Sequence, residues 1–210
     1  MKVKTSNPSP RSVGAPQRGR PREFDLASVA QAAARTFWER GYHATSLDDL
    51  CDATGLLRGS LYGAFGDKHG ILLAALEHYA DGALTQLAER LDAARPADEA
   101  VREALLHHTR AAATMAHLRG CLVTNTALEM APRDEEVAAR IEAIMRRVTT
   151  LFAAAIIRGQ AQGVFDPALD ERAAADFLLC VTQGMRVLSK VMPDEKRLAT
   201  AIGIAMQALG

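Results

Sequence analysis

The first clear hydrophobic pattern lies between residues 26 and 41. Apolar residues recur there at intervals of three and four, as on one face of a helix, and polar residues occupy the opposite face. The apolar set is Leu26, Val29, Ala30, Ala33 and Phe37. The pattern predicts a helix that ends near Gly41, because glycine favours helix termination.

Two shorter helices are predicted to follow. Ser46 and Asp49 have the spacing of a capping box, so the second helix should begin near Ser46. Gly55 permits a tight turn, and the next helix should turn Leu61 inward and Tyr62 outward. Two short helices joined in this way satisfy the geometry of a helix-turn-helix, whose second helix can enter the major groove of DNA.

The rest of the chain is predicted to form longer helices. Their ranges are about 68–93, 98–118, 121–131, 134–162, 170–191 and 194–208, separated by proline or glycine. No strand-like alternation and no internal repeat is present. The sequence therefore predicts an all-α fold with a flexible basic arm (1–22), a helix-turn-helix domain (23–68) and a larger helical domain (69–210).

Composition supports helices and adds a charge asymmetry. Apolar residues make up 49% of the chain, and Ala, Leu, Arg and Glu outnumber β-branched and aromatic residues. Residues 1–68 hold 10 Lys+Arg and 7 Asp+Glu, against 15 and 18 in residues 69–210. All basic residues of the arm precede Glu23, the first acid. The arm is typical of a segment that binds phosphate, and a solvated tail is the alternative.

The cysteines and the hydropathy pattern indicate a cytoplasmic protein. Cys51, Cys121 and Cys180 are widely spaced and form no CxxC or Cys/His cluster, which suits reduced thiols. No apolar run is long enough to cross a membrane, and no apolar stretch of a signal peptide follows the basic segment. We expect no metal, no cofactor and no membrane partner.

Two other classes of function stay open at this stage. One is an enzyme in which Cys121 pairs with His117 or His108 as nucleophile and base. The chain has no glycine-rich phosphate loop and no nucleophile elbow, so we expect no catalytic residues. The other is a helical module that coats DNA or binds only proteins. A footprint on the DNA upstream of its own gene would separate a sequence-specific regulator from both.

The most specific signal is the string TSLDDLCDATGLLRGSLYGAFGDKHGI, from Thr45 to Ile71. It resembles, almost position by position, the DNA-binding segment of the tetracycline-repressor (TetR) family of transcription regulators. Gly55 matches the turn glycine of that family, and Phe65 and Lys68 match the aromatic residue and lysine before its fourth helix. The resemblance implies a DNA-binding regulator, and in this family the usual behaviour is repression.

A second segment resembles the family more weakly, and three positions depart from the family pattern. The segment GCLVTNTALE, residues 120–129, is similar to one found in a branch of the family. Leu57 stands where many members have a Ser or Thr helix cap. Gly63 and Ala64 replace ring or basic side chains, and Gly63 weakens the third helix by roughly 0.5–1 kcal/mol relative to alanine.

The resemblance implies a DNA-binding surface around the third helix, where Gly59, Ser60 and Tyr62 belong to the recognition run. Tyr62 and Lys68 are expected to bind backbone phosphate, because a phenol and an ammonium beside a helix N-terminus suit that role. Arg58 and Ser60 are candidates for reading base edges. The alternatives are a Tyr62 ring that closes the small core and a solvated Lys68.

Further DNA contacts are predicted on either side of that helix. Thr45 and Ser46 should bring hydroxyl and backbone N–H groups to phosphate. Arg18, Arg20 and Arg22 resemble an arm that enters the minor groove, where narrow A·T-rich DNA attracts guanidinium groups.

The last two helices should form a four-helix interface between two copies of the chain, as the resemblance implies. The predicted interface residues are Val187, Val191, Leu198, Ile202 and Ala205. A two-fold dimer would hold its recognition helices roughly 34 Å apart, or a multiple of that, on a palindromic operator.

The resemblance also implies a cavity that binds a small, largely apolar effector and shifts the fourth helix. Apolar and polarisable side chains with a few polar groups are suited to line it. The candidates are His108, Met115, Cys121, Leu122, Asn125, Phe152 and Met185. Ordinary core packing is the alternative for each of them.

Cys121 invites three interpretations. A buried thiol without reactivity is the simplest. Its place near a helix start, after Gly120 and close to Arg119, could lower its pKa and make it an electrophile sensor. A metal site that includes the nearby histidines lacks the usual ligand spacing.

Overall fold

The computed structural model describes residues 24–92, 94–111, 120–192 and 194–210. Its regular secondary structure within these ranges is entirely helical, which confirms the all-α prediction. The helices are α1 (Leu26–Arg40), α2 (Leu47–Thr54), α3 (Arg58–Phe65), α4 (Lys68–Arg90), α5 (Ala97–Ala111), α6 (Leu122–Met130), α7 (Glu135–Gln162), α8 (Glu171–Val191) and α9 (Glu195–Gln207).

The helix starts follow from capping residues in the sequence. In each case a side-chain oxygen accepts a backbone N–H from the first turn, which would otherwise have no partner. The capping residues are Asp25, Ser46, Asp67, Asp134, Asp170 and Asp194. The carboxylates among them also place negative charge at the positive end of the helix dipole.

The helices enclose two hydrophobic cores. The first joins α1, α2 and α3 to α4, α6 and the first half of α7, and contains Phe37, Leu50 and Leu61. The second joins α5, the rest of α7, α8 and α9, and contains Ile156 and Leu178. Because α4, α6 and α7 share the first core with α1–α3, the helix-turn-helix is packed firmly onto the larger domain.

Three of the predicted dimer residues need correction. Leu198, Ile202 and Ala205 are no more than 2% exposed and pack inside the protomer itself. Leu198 and Ile202 belong to the second core, where α9 packs on α5. Both faces of α9 are apolar, and these three residues lie on the inner one. Val187 and Val191, by contrast, are 49% and 72% exposed.

Exposed apolar residues on α8 and α9 form a set here called the exposed seam. On α8 its residues are spaced alternately by four and three, which is the pattern of helices that pack side by side in bundles. On α9 the seam includes Ile204, which is 64% exposed. The seam comprises Ala173, Phe177, Cys180, Gly184, Val187, Val191, Ala201 and Ile204.

A close contact at Gly159 of α7 gives a test of the second core. A Cβ atom there would lie 2.2 Å from the ring of Phe165, which is 4% exposed. Gly159→Ala is therefore expected to lower the free energy of unfolding by about 1–3 kcal/mol through overpacking. Gly82→Ala in α4 is the matched control, because its Cβ would meet open space. The control should stabilise by about 0.5–1 kcal/mol in urea denaturation, and a loss shared by both variants would contradict the assignment.

No helix in the described ranges is long and apolar enough to cross a membrane.

Candidate DNA-binding surface and effector cavity

The helix-turn-helix forms as predicted. The Ser46 hydroxyl accepts the Asp49 N–H at 3.1 Å, and the Asp49 carboxylate accepts the Ser46 N–H at 2.8 Å. Gly55 ends α2 in the left-handed region with φ 69°. Leu50 and Leu61 are fully buried and join α2 and α3 to the first core. The outer face of α3 is thereby fixed in space.

That outer face carries the predicted recognition residues. Arg58, Gly59, Ser60 and Tyr62 are all exposed, and a Cβ at Gly59 would meet nothing within 4 Å. Leu57, at the cap position of α3, makes no side-chain hydrogen bond to the helix start. The face therefore presents few side chains and leaves much of the α3 backbone near the surface.

Arg58 has an internal partner in the free protein. Its Nη2 donates to Asp48 Oδ1 of α2 at 2.8 Å, and both side chains are largely exposed. The hydrogen bond to Asp48 raises the pKa of the Arg58 guanidinium, so it remains charged. An exposed pair of this kind contributes little to stability, so Arg58 can exchange partners readily.

Lys68, the first residue of α4, lies beside the helix-turn-helix. Its Nζ sits 4.4 Å from the centre of the Tyr42 ring, within range of a cation–π interaction. Partial burial lowers the pKa of the Lys68 ammonium. The alternative of a fully solvated lysine does not fit this contact.

Two predicted phosphate ligands are engaged within the domain. Thr45 is 1% exposed and its hydroxyl donates to the Gly41 carbonyl at 2.6 Å, so the predicted phosphate contact of this hydroxyl is wrong. The Thr45 N–H donates to the Tyr42 carbonyl. Ser46 is exposed, but its hydroxyl and N–H both serve the capping box.

The arm residues Arg18, Arg20 and Arg22 lie outside the described residues.

Glu129 of α6 joins the two domains, a contact that sequence reasoning missed. Its carboxylate accepts the N–H groups of Tyr42 and His43 at 2.9 and 2.7 Å, in the loop after α1. Gly41 makes room for this approach, since a Cβ there would lie 2.9 Å from Glu129 Oε2. At the other end of α6, Trp38 Nε1 donates to the Gly120 carbonyl at 3.1 Å. Helix α6 is thus connected to α1 at both ends.

A cavity of about 160 Å³ lies within the larger domain, among α4, α5, α7 and α8 and the start of α6. Most of its wall is apolar, including Leu84, Leu87 and Val148. Polar groups come from Tyr79, Gln183 and Arg186, among others. An apolar cavity with a few polar groups is the usual form of a small-molecule site.

The predicted cavity residues are only partly brought together. Cys121 and Phe152 line the cavity. Leu122 and Met185 are buried in the first and second cores and are not part of the cavity wall. Asn125 lies outside the wall, where its Oδ1 accepts from Lys190 Nζ at 2.9 Å. The side chain of His108, and Met115 as a whole, are outside the described residues.

The thiol of Cys121 has an unusual setting for a buried group. It is 3% exposed, and Arg186 Nη1 lies 3.0 Å from its Sγ. Burial alone would raise the pKa of this thiol, but the Arg186 charge, the hydrogen bonds from Thr124 and the Tyr79 hydroxyl together lower it. Burial, with the neighbouring Cys121, raises the pKa of the Tyr79 hydroxyl. The site therefore favours the thiolate form of cysteine.

A metal centre receives no support from the described residues, where no group of three or more His, Cys, Asp or Glu side chains converges.

A helix-turn-helix packed on a larger helical domain with a cavity defines a DNA-binding transcription regulator. The chain belongs to the tetR family of bacterial regulatory proteins. Residues 30–75 match the model described as "Bacterial regulatory proteins, tetR family". Residues 100–205 match "Tetracyclin repressor-like, C-terminal domain".

Relatives and solved structures agree with this assignment. The chain is 31% identical over 192 residues to the uncharacterised regulator YezE of Bacillus subtilis, covering 91% of this chain and 99% of YezE. It is 30% identical over 198 residues to the transcriptional repressor ComR of Escherichia coli, covering 90% and 91%. The TetR-family regulator CifR, solved with 26bp operator DNA, is 34% identical with a TM-score of 0.78, covering 90% of this chain and 99% of CifR.

Proposed function

We propose that the protein is a cytoplasmic homodimeric repressor that binds a palindromic operator and releases it when a small molecule enters the cavity. The position of α6 carries this proposal. Its N-cap residue Cys121 borders the cavity, and its last turn holds the α1–α2 loop through Glu129. A change in the cavity wall is therefore connected directly to the orientation of the helix-turn-helix.

Recognition of DNA follows from the exposed face of α3. Two copies that pack along the exposed seam would present two such faces to successive major grooves. Arg58 and Ser60 would contact base edges, with Arg58 exchanging Asp48 for guanine. Tyr62 and Lys68 would contact phosphate, with the Lys68 ammonium moving off the Tyr42 ring.

Release of DNA requires that the effector bind one arrangement of the dimer more tightly than the other. Filling the cavity would press on α4 and α7 and on the start of α6, all of which also belong to the first core. The distance between the two α3 helices would change with them. An operator of fixed spacing would then fit only the arrangement with the empty cavity.

The experiment that tests this function is a footprint of the purified protein on the DNA upstream of its own gene. The expected result is a protected palindrome whose affinity exceeds that for unrelated DNA by at least about a thousandfold. Unrelated DNA of equal length and base composition is the control. Equal affinity for both would favour the DNA-coating alternative and refute sequence-specific regulation.

A pair of substitutions separates base reading from phosphate binding. Arg58→Ala is expected to weaken specific binding by roughly 1–3 kcal/mol and to relax one operator position. Lys68→Ala should weaken specific and non-specific binding alike and lower the salt slope by about one unit. Anisotropy titrations at several salt concentrations measure both effects. Unchanged binding by both variants would contradict the proposed docking.

A further inference from the structure

The cavity carries a reactive group that the proposed function does not use. We propose that the natural effector is a small α,β-unsaturated carbonyl compound, an enone, that forms a thioether with Cys121. This inference rests on the proposed function and adds the chemical class of the effector. In this proposal the effector modifies the protein covalently, whereas an ordinary ligand would fill the cavity reversibly.

The first observation is the pairing of Cys121 with Arg186. The thiol faces the cavity at the N-cap of α6, and the guanidinium nitrogen 3.0 Å away supplies a positive charge from α8. Arg186 is half-buried and has no carboxylate within salt-bridge distance among the described residues, so its positive charge favours the thiolate form of Cys121. Thiolate, rather than thiol, is the nucleophilic form of cysteine.

The second observation points independently to a ligand. Thr182 lines the same cavity and is 3% exposed, and its hydroxyl has no hydrogen-bond partner among the described residues. A buried hydroxyl in this state is unfavourable, and a ligand that accepts a hydrogen bond from it would remove that cost. Thr182 and Arg186 lie one turn apart on the same face of α8. Together they form a donor pair for a carbonyl oxygen.

The chemistry of this arrangement is conjugate addition. A lone pair of the Cys121 sulfur forms a bond to the β-carbon of the ligand, and the electrons of the C=C bond move to the carbonyl oxygen as an enolate. Arg186 and Thr182 are placed to stabilise that negative charge. The α-carbon then takes up one proton, equal to the proton that the thiol released. No oxidant, reductant or leaving group is required.

The size and polarity of the cavity limit the ligand. A cavity of about 160 Å³ is similar to one that holds a benzene molecule, roughly 150 Å³ in an engineered protein. The rest of the wall includes Leu84, Leu87 and Val148, which favour an apolar body. A six-membered ring with one carbonyl group therefore fits, whereas a peptide-sized electrophile does not.

The adduct would act on DNA binding through α6. The thioether would occupy the cavity beside the first turn of this helix and would separate Cys121 from Arg186. The same helix bonds to Trp38 through Gly120 and to the α1–α2 loop through Glu129. A displacement at its N-terminal end is therefore transmitted to the DNA-binding domain.

The test uses the full-length protein bound to its operator and compares cyclohex-2-enone with cyclohexanone. The enone is expected to release DNA in proportion to a single adduct that peptide mass spectrometry locates on Cys121. Cyclohexanone, which has the same ring and carbonyl, should release at least about tenfold less. Cys121→Ser, which retains Cys51 and Cys180, should bind the operator and resist the enone, and Cys121→Ala is a second variant should serine disturb folding.

The outcomes separate the two levels of the proposal. Absence of operator binding before any compound is added would overturn the proposed function itself. Operator binding with equal release by both compounds, or with release of the Cys121→Ser protein, would overturn the covalent inference and leave the repressor intact. An adduct on Cys121 without release would also overturn it.

The role of Arg186 has its own measurement. Alkylation of Cys121 is followed against pH in the parent protein, Arg186→Met and Arg186→Lys. Because the arginine favours the thiolate, the methionine variant should react about tenfold more slowly at neutral pH, with the midpoint of its profile at higher pH. The lysine variant should recover part of the rate. Identical profiles for the three proteins would contradict activation by Arg186.

Discussion

Ile204→Glu is expected to convert the protein to monomers at micromolar concentration and to abolish tight operator binding. Ile204 is 64% exposed in the single chain, and it is the larger of the two seam residues on α9. In a dimer that packs along the exposed seam, the new carboxylate would be buried without a partner, which costs several kcal/mol for each of two copies. No DNA-contacting residue changes.

The measurement is sedimentation of both proteins alongside anisotropy on the operator. Ala199→Glu is the matched control, because Ala199 is an exposed residue of the same helix that lies away from the seam. The control should remain a dimer and bind DNA normally. A dimer that persists in the Ile204→Glu protein would mean that the two copies meet elsewhere.

The second large effect is expected at Glu129. Its carboxylate accepts two backbone N–H groups of the α1–α2 loop, and hydrogen bonds to a charged group contribute about 1.5–3 kcal/mol each. Because the contact is partly exposed, Glu129→Ala should lower the free energy of unfolding by about 2–4 kcal/mol in total. It should also reduce the effect of any cavity ligand on DNA affinity.

The fluorescence of Trp38 provides a measurement of this predicted loss of stability. It is the one tryptophan of the chain, and its indole N–H bonds to Gly120 beside α6. In the Glu129→Ala protein, the fluorescence transition in urea should occur at lower denaturant than the loss of helical circular dichroism. Glu129→Gln, which keeps the shape and one acceptor oxygen, should fall between. Coincident transitions at the parental midpoint would refute a role for Glu129 in joining the domains.

Local signals in the sequence predicted the DNA-binding domain well. The capping box of Ser46 and Asp49 and the left-handed turn at Gly55 depend on residues close in the chain, so spacing alone identifies them. The predicted phosphate contact of the Thr45 hydroxyl is wrong, because this hydroxyl can bond either to solvent or to the Gly41 carbonyl, and it bonds to the carbonyl. That choice depends on the folded turn and leaves no mark in the spacing of residues.

Two other features could not be predicted from periodicity. Helix α9 is apolar on both faces, so the pattern does not distinguish Ile202, which packs on the protomer, from Ile204, which faces outward. Two of the partners of Cys121, Tyr79 of α4 and Arg186 of α8, are far away in sequence, and only the packed helices bring them to the thiol. The sequence left the reactivity of Cys121 open, whereas the contact that lowers the pKa of its thiol is tertiary.

The pairing of Arg58 with Asp48 has a consequence for how the protein searches a genome. On random DNA the guanidinium gains little by leaving its carboxylate, and the carboxylate itself is repelled by the phosphates. In the proposed docking, Asp48 therefore weakens binding to unrelated sequences. Only a site with the N7 and O6 acceptors of guanine would offer Arg58 a bidentate hydrogen bond that compensates for the loss of Asp48. In the proposed docking, Asp48 thus helps the protein to distinguish its operator from the surrounding DNA.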